Sequence, residues 1–80
     1  MERILLVEDN AEYRELLGKI IKENGYHIDA VDNPISGIEY LIAKEYDLII
    51  SDLKMPEMDG VRFIKAAKNI RKDVKTIILE

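Results

Sequence analysis

Four short apolar runs alternate with three segments of helical periodicity, and that alternation leaves few folds open. Arg3 to Val7, Tyr26 to Val31, Leu48 to Ser51 and Val74 to Leu79 read as strands. The first and third are the continuous apolar runs expected of strands buried on both faces of a parallel sheet. The second is more polar and alternating, which places it at a sheet edge. Between the runs lie three helices. Asn10 caps the first, whose buried stripe is read as Tyr13, Leu16, Leu17, Ile20 and Ile21, and Gly25 ends it. Asn33-Pro34 starts the second, with Ile35, Ile38, Leu41 and Ile42 as its apolar face. The third runs from about Gly60 to Ile70 and is expected to bury Val61, Ile64 and Ala67. The order β-α-β-α-β-α-β implies an α/β fold, with parallel strands joined by right-handed crossovers and helices on both faces of the sheet.

Eighty residues make one small domain, residues 1–80. With 48% hydrophobic and 35% charged residues the chain has an ordinary globular balance rather than a disordered one. It has no cysteine, hence no disulfide and no thiolate metal site, which fits a cytoplasmic location. No apolar stretch is long enough to span a bilayer, and the four apolar residues after Arg3 do not make a signal peptide. The net charge is −4, and the loose basic group Lys65, Lys68, Arg71, Lys72 and Lys75 is read as solvating a helix end and the following turn. Direct nucleic-acid binding is not expected without a net basic field.

Both central runs end in acids. Ile4-Leu5-Leu6-Val7 leads into Glu8 and Asp9, and Leu48-Ile49-Ile50-Ser51 leads into Asp52. In open parallel sheets ligands bind beyond the carboxyl ends of the strands, where the strand order reverses. Each acidic group alone has a plain explanation: Glu8-Asp9 complements a helix dipole, and Asp52 is a polar strand end. Together at one rim they conflict. Two like charges about 4 Å apart repel by roughly 4 kcal/mol at an effective dielectric near 20. Their pKa values rise, or a cation neutralises them. A site made only of oxygen donors suits Mg²⁺ or Mn²⁺ better than zinc. A carboxylate beside such an ion is already ionised at neutral pH and can attack phosphorus without a general base, giving an aspartyl phosphate.

The residues after Asp52 add a second signature: Leu53-Lys54-Met55-Pro56-Glu57-Met58-Asp59-Gly60. With Ile4 to Asn10, this block resembles the receiver domain of two-component response regulators. The resemblance implies a three-layer α/β/α, flavodoxin-like sheet of order 2-1-3-4. It implies that Asp52 is the phosphoacceptor for a histidine kinase, with Mg²⁺ (or Mn²⁺) as cofactor. Asp9 is then a direct metal ligand, Glu8 a ligand mainly through water, and Lys54 a ligand through its backbone carbonyl. Asp59 and Gly60 are structural. Such a chain is a phosphorelay component rather than an enzyme.

The departures are also informative. Family members are typically about half as long again, so the resemblance implies an incomplete receiver domain whose fifth strand and last two helices are missing. The family's Ser or Thr at the end of the fourth strand is absent, because Thr76 comes too early and Glu80 falls in its place. The lysine after the fifth strand is absent too. This chain is therefore expected to be unable to switch. The shortened fold should leave the fourth strand, Ile77-Ile78-Leu79, as an apolar edge beside uncovered helical faces, and a homo-oligomer is expected.

One other reading stays open: a structural, self-associating fragment without phosphotransfer. A haloacid-dehalogenase-type phosphatase is disfavoured, because it needs a second Asp where this chain has Lys54. A dinucleotide fold is disfavoured because no Gly-rich loop follows the first strand. His27, the single histidine, is read as an exposed strand residue.

Overall fold

The computed structural model describes residues 2–79, so the Glu80 expectation lies outside the described residues. The chain runs β1 (Arg3–Val7), α1 (Ala11–Glu23), β2 (His27–Val31), α2 (Pro34–Ala43), β3 (Leu48–Asp52), α3 (Gly60–Ile70) and β4 (Lys75–Leu79). The strands form one parallel sheet of order β2-β1-β3-β4. This is the beginning of the flavodoxin-like order 2-1-3-4-5, with its reversal between β1 and β3.

Local chemistry sets most of the boundaries. Asn10 accepts from the Tyr13 amide, Asn33 from Ser36 and Asp59 from Arg62, so each helix starts on a side-chain cap. Gly25 takes φ +91° just past α1, where a residue with a Cβ would be strained. Asp47 opens the β1–β3 ladder twice: its carboxylate accepts from the Arg3 amide at 2.8 Å, and its own amide donates to the Arg3 carbonyl at 2.8 Å. Tyr26 falls outside β2 because its amide is turned to the Ile21 carbonyl at the end of α1. Val74 similarly turns its amide back to Arg71, so β4 begins at Lys75.

Side-chain alternation on β1 and β3 builds the two faces. Leu5, Val7 and Ile49 enter a core with Val31, Leu41, Tyr46, Met55, Phe63, Ala67 and Val74, beneath α2 and α3. Ile4 and Leu6, equally buried, point to the opposite face, which α1 covers. At the core's margin the buried Tyr46 donates its hydroxyl to Asp29 at 2.6 Å, and burial together with that carboxylate raises the Tyr46 pKa.

Three expected helix faces are corrected. On α3, Phe63 is fully buried and Val61 is 46% exposed. Gly60, Phe63 and Ala67 form the inward line, and Val61 lies about 100° around the helix from Gly60. On α2, Pro34, Gly37 and Leu41 face inward, and Ile35 and Ile42 are exposed. Gly37 is the space that Phe63 occupies: a Cβ there would lie 3.0 Å from the Phe63 ring and 3.0 Å from a Val7 methyl. On α1 no residue is fully buried. Tyr13, Leu16 and Ile20 are 61%, 54% and 46% exposed, and of the five stripe residues only Leu17 and Ile21 are half-buried. The stripe read as buried is real, but among the described residues nothing packs on its outer half.

Candidate metal and phosphoryl site

The rim at the strand ends is built by two turns. In the first, the sheet pairing extends one residue past β1, and the Glu8 amide donates to the Val31 carbonyl at 3.0 Å. Glu8 is buried, and its carboxylate accepts from the Asn10 amide at 3.2 Å. The Asn10 side chain then caps α1, so one turn both orients Glu8 and starts the helix. Asp9, between them, is exposed.

The second turn follows β3. Asp52 is the last residue of the strand and is half-buried; its neighbour Leu53 donates to the Leu79 carbonyl at 2.8 Å. The loop then returns, and the Gly60 amide donates to the Leu53 carbonyl at 2.7 Å. A Cβ on Gly60 would be driven into the Asp52 carbonyl oxygen and would sit 3.0 Å from Leu53 Cα. Gly60 is thus the point where α3 presses on the segment that carries Asp52. Gly60→Ala is expected to cost about 1–3 kcal/mol, as overpacking against backbone does. Its denaturant midpoint should fall, and the amide resonances of Asp52 and Leu53 should move with it.

These turns bring Glu8, Asp9 and Asp52 together, with one carboxylate oxygen from each lying within 4.8 Å of the others. Glu8 has a pKa raised above the ordinary carboxylate value, first by its burial and then by the negative charges of Asp52 and Asp9. The Asn10 amide pulls in the opposite direction. The trio opens onto a cleft of about 860 Å³ that also borders Asn10, Tyr13, Leu17, Leu53, Lys54 and Leu79. Three carboxylates with no nitrogen or sulfur donor fit a hard divalent cation such as Mg²⁺ or Mn²⁺.

All four residues singled out in the sequence therefore border one cleft: Glu8, Asp9, Asp52 and Lys54. His27 does not. It opens β2 opposite Arg3, at the other end of the sheet. Thr76 stands opposite Ile49, three residues before Leu79, which pairs with Asp52. Arg14 was not legible as a contributor: its guanidinium donates to the Glu8 carbonyl at 3.0 Å. A lone basic residue on the first helix gives no sequence signal for such a bond.

Residues 4–80 match the response regulator receiver domain family. The receiver protein CpdR of Brucella abortus is 38% identical over 79 residues, which is 99% of this chain and 66% of that protein. TrrA of Thermotoga maritima, solved in complex with Mg²⁺-BeF, superposes with a TM-score of 0.92 at 36% identity, over 98% of this chain and 68% of that one. TrrA has also been solved in complex with the histidine kinase ThkA, and that copy gives a TM-score of 0.90. The chain thus spans about two thirds of the length of these relatives. Fold, acidic rim and relatives agree: this chain belongs to the response regulator receiver domain family, the signalling module of two-component systems.

Proposed function

We propose that this chain accepts a phosphoryl group on Asp52 from a histidine kinase, with Mg²⁺ or Mn²⁺ held by Asp9, Asp52, the Lys54 carbonyl and, mainly through water, Glu8. The observation that carries this reading is the meeting of three carboxylate oxygens within 4.8 Å at the strand ends. The structures of TrrA with Mg²⁺-BeF and with a kinase support it by likeness. In the transfer, an Asp52 oxygen attacks the phosphorus of a phosphohistidine. The new P–O bond forms as the P–N bond breaks, and the electron pair leaves with the imidazole nitrogen, which takes up a proton. A divalent cation held by Asp9 and Asp52 would supply positive charge to neutralise the phosphoryl oxygens. Glu8 and Asp9 are held by the β1–α1 turn, and Asp52 by the ladder to Leu79 and the contact with Gly60, so the acceptor is oriented before the donor arrives.

We further infer that residues 1–80 are the greater part of one receiver domain, working in the cytoplasm. No helix among the described residues is long and apolar enough to cross a membrane. Thr76, the only hydroxyl residue of β4, is three residues short of the Asp52–Leu79 pair. These residues alone therefore carry no hydroxyl on β4 to bind the phosphoryl group and drive a switch.

The test is incubation of the chain with acetyl phosphate and Mg²⁺, read by intact mass. One added phosphoryl group, prevented by EDTA, supports the reading; no uptake by folded protein overturns it.

A second reading, a self-associating module, is favoured by the exposed stripe Tyr13, Leu16 and Ile20 and by the β4 edge, where Ile77 is 47% exposed. Ile77 pairs with Ile50 and so faces the same side of the sheet as α1. Sedimentation velocity at micromolar concentration is expected to show dimers or larger species, reduced by Leu16→Glu together with Ile20→Lys. A monomer throughout that range excludes this reading.

A further inference from the structure

Glu8 is tethered on all its polar groups. Its amide donates to Val31 and its carboxylate accepts from Asn10, while its carbonyl accepts from Arg14 Nη1 at 3.0 Å. The first bond is part of the sheet and the second part of the turn. The third is different, because it reaches back six residues from α1 to the main chain of the acidic rim. An arginine beside carboxylates ordinarily forks onto one of them. Here it does not: among the described residues the one ion pair within 4.0 Å is Lys44 with Asp29. Arg14 thus bonds the main chain of the rim and forms no ion pair with any of its three carboxylates.

The bonded carbonyl matters because of where it lies. The Glu8 C=O and the Asp9 N–H belong to a single planar peptide unit. A bond that holds this plane sets the direction from which both acidic side chains leave the chain. The neighbouring Asp9 is exposed and has no comparable support of its own side chain from burial.

We propose that Arg14 is a positioning residue for the divalent cation, acting through the Glu8–Asp9 peptide rather than through charge. The proposal rests on the metal reading above. Its test is decisive because geometry and charge act with opposite signs. As a charge alone, Arg14 repels an arriving cation, so its removal should tighten binding. As a positioning group it lowers the cost of arranging the ligands, so its removal should loosen binding; losing a partner that orients metal ligands typically costs at least about tenfold in affinity.

The experiment is calorimetric titration of Mg²⁺ into the full chain at fixed ionic strength, for wild type, Arg14→Met and Arg14→Lys. Met keeps the packed stem, which protects the fold, and lacks both charge and donor. Circular dichroism checks that each variant is folded, and hydrogen exchange of the Asn10 amide reports the turn itself. The expected result is an affinity about tenfold weaker for Arg14→Met, with faster Asn10 exchange, and recovery to within about threefold of wild type for Arg14→Lys. Binding by Arg14→Met as tight as wild type or tighter overturns the proposal and leaves the metal site standing, as does a lysine variant that recovers nothing. A folded wild type that takes up no Mg²⁺ overturns both.

Discussion

Asp52→Asn is expected to abolish phosphoryl uptake from acetyl phosphate and, in the same protein, to raise the stability of the metal-free chain. The first effect is chemical. Asparagine keeps the size and the strand end but has no ionised oxygen to attack phosphorus. The second follows from the electrostatics of the rim. The Glu8 pKa is raised by burial and then by the Asp52 charge. A carboxyl with a raised folded-state pKa stabilises the fold fully below its ordinary value of 4.5, and that contribution is lost as the pH rises through the raised value. At neutral pH the folded, metal-free chain therefore carries a cost, and removing the Asp52 charge relieves part of it. The gain should be on the order of 1 kcal/mol, measured by urea denaturation at pH 7 in EDTA. It should shrink as the pH falls below about 4.5, where Glu8 is protonated in either state. Magnesium should raise the unfolding midpoint of the wild type and do little for Asp52→Asn, whose affinity should be at least tenfold weaker through loss of one of three charged ligands. A variant that is less stable than wild type in EDTA at pH 7 would contradict this account.

Phe63→Ala is expected to unfold most of the population at room temperature. Phe63 is fully buried and fills the space left by Gly37 between α2, α3 and β1. Truncating a buried Phe to Ala typically costs about 3–5 kcal/mol. A core of this size supplies about 3–5 kcal/mol in total. The loss and the whole reserve are therefore equal in scale. Circular dichroism without denaturant should show depleted helix, and Phe63→Leu, which restores most of the volume, should recover the folded signal. A cooperative thermal transition for Phe63→Ala within a few degrees of wild type would show that α2 and α3 do not depend on this ring.

Those two residues mark how much was legible beforehand. Asp52 stood out because its meaning is local: an acid ends an apolar strand and leads into a loop of unusual composition. Periodicity points to Val61 rather than Phe63 because it gives the spacing of a stripe and not its absolute direction. The direction was decided by Gly60, whose bare Cα is forced against the Asp52 carbonyl, which rotates the helix so that Phe63 points inward. The same holds on α2, where Gly37 rather than Ile35 faces the core. On α1 the stripe was identified correctly and its burial was not. Whether an apolar face is covered depends on what packs beside it, and within the described residues nothing lies over its outer half.

The succession of strands and helices, the caps and the acidic pair at Glu8 and Asp9 could be read from the chain because each follows from short-range chemistry: apolar run length, side-chain reach to nearby amides, and the adjacency of two acids. The sheet order 2-1-3-4 came from the resemblance to receiver domains, since which strands lie side by side is not a local property. What required the folded arrangement were the long-range facts. Tertiary structure brought the Glu8, Asp9 and Asp52 oxygens within 4.8 Å, turned Phe63 into the core, and laid the Arg14 guanidinium on the Glu8 carbonyl. Each depends on how one element is rotated against another, and that rotation is settled by packing at contacts such as Gly60 and Gly37, which no single stretch of sequence contains.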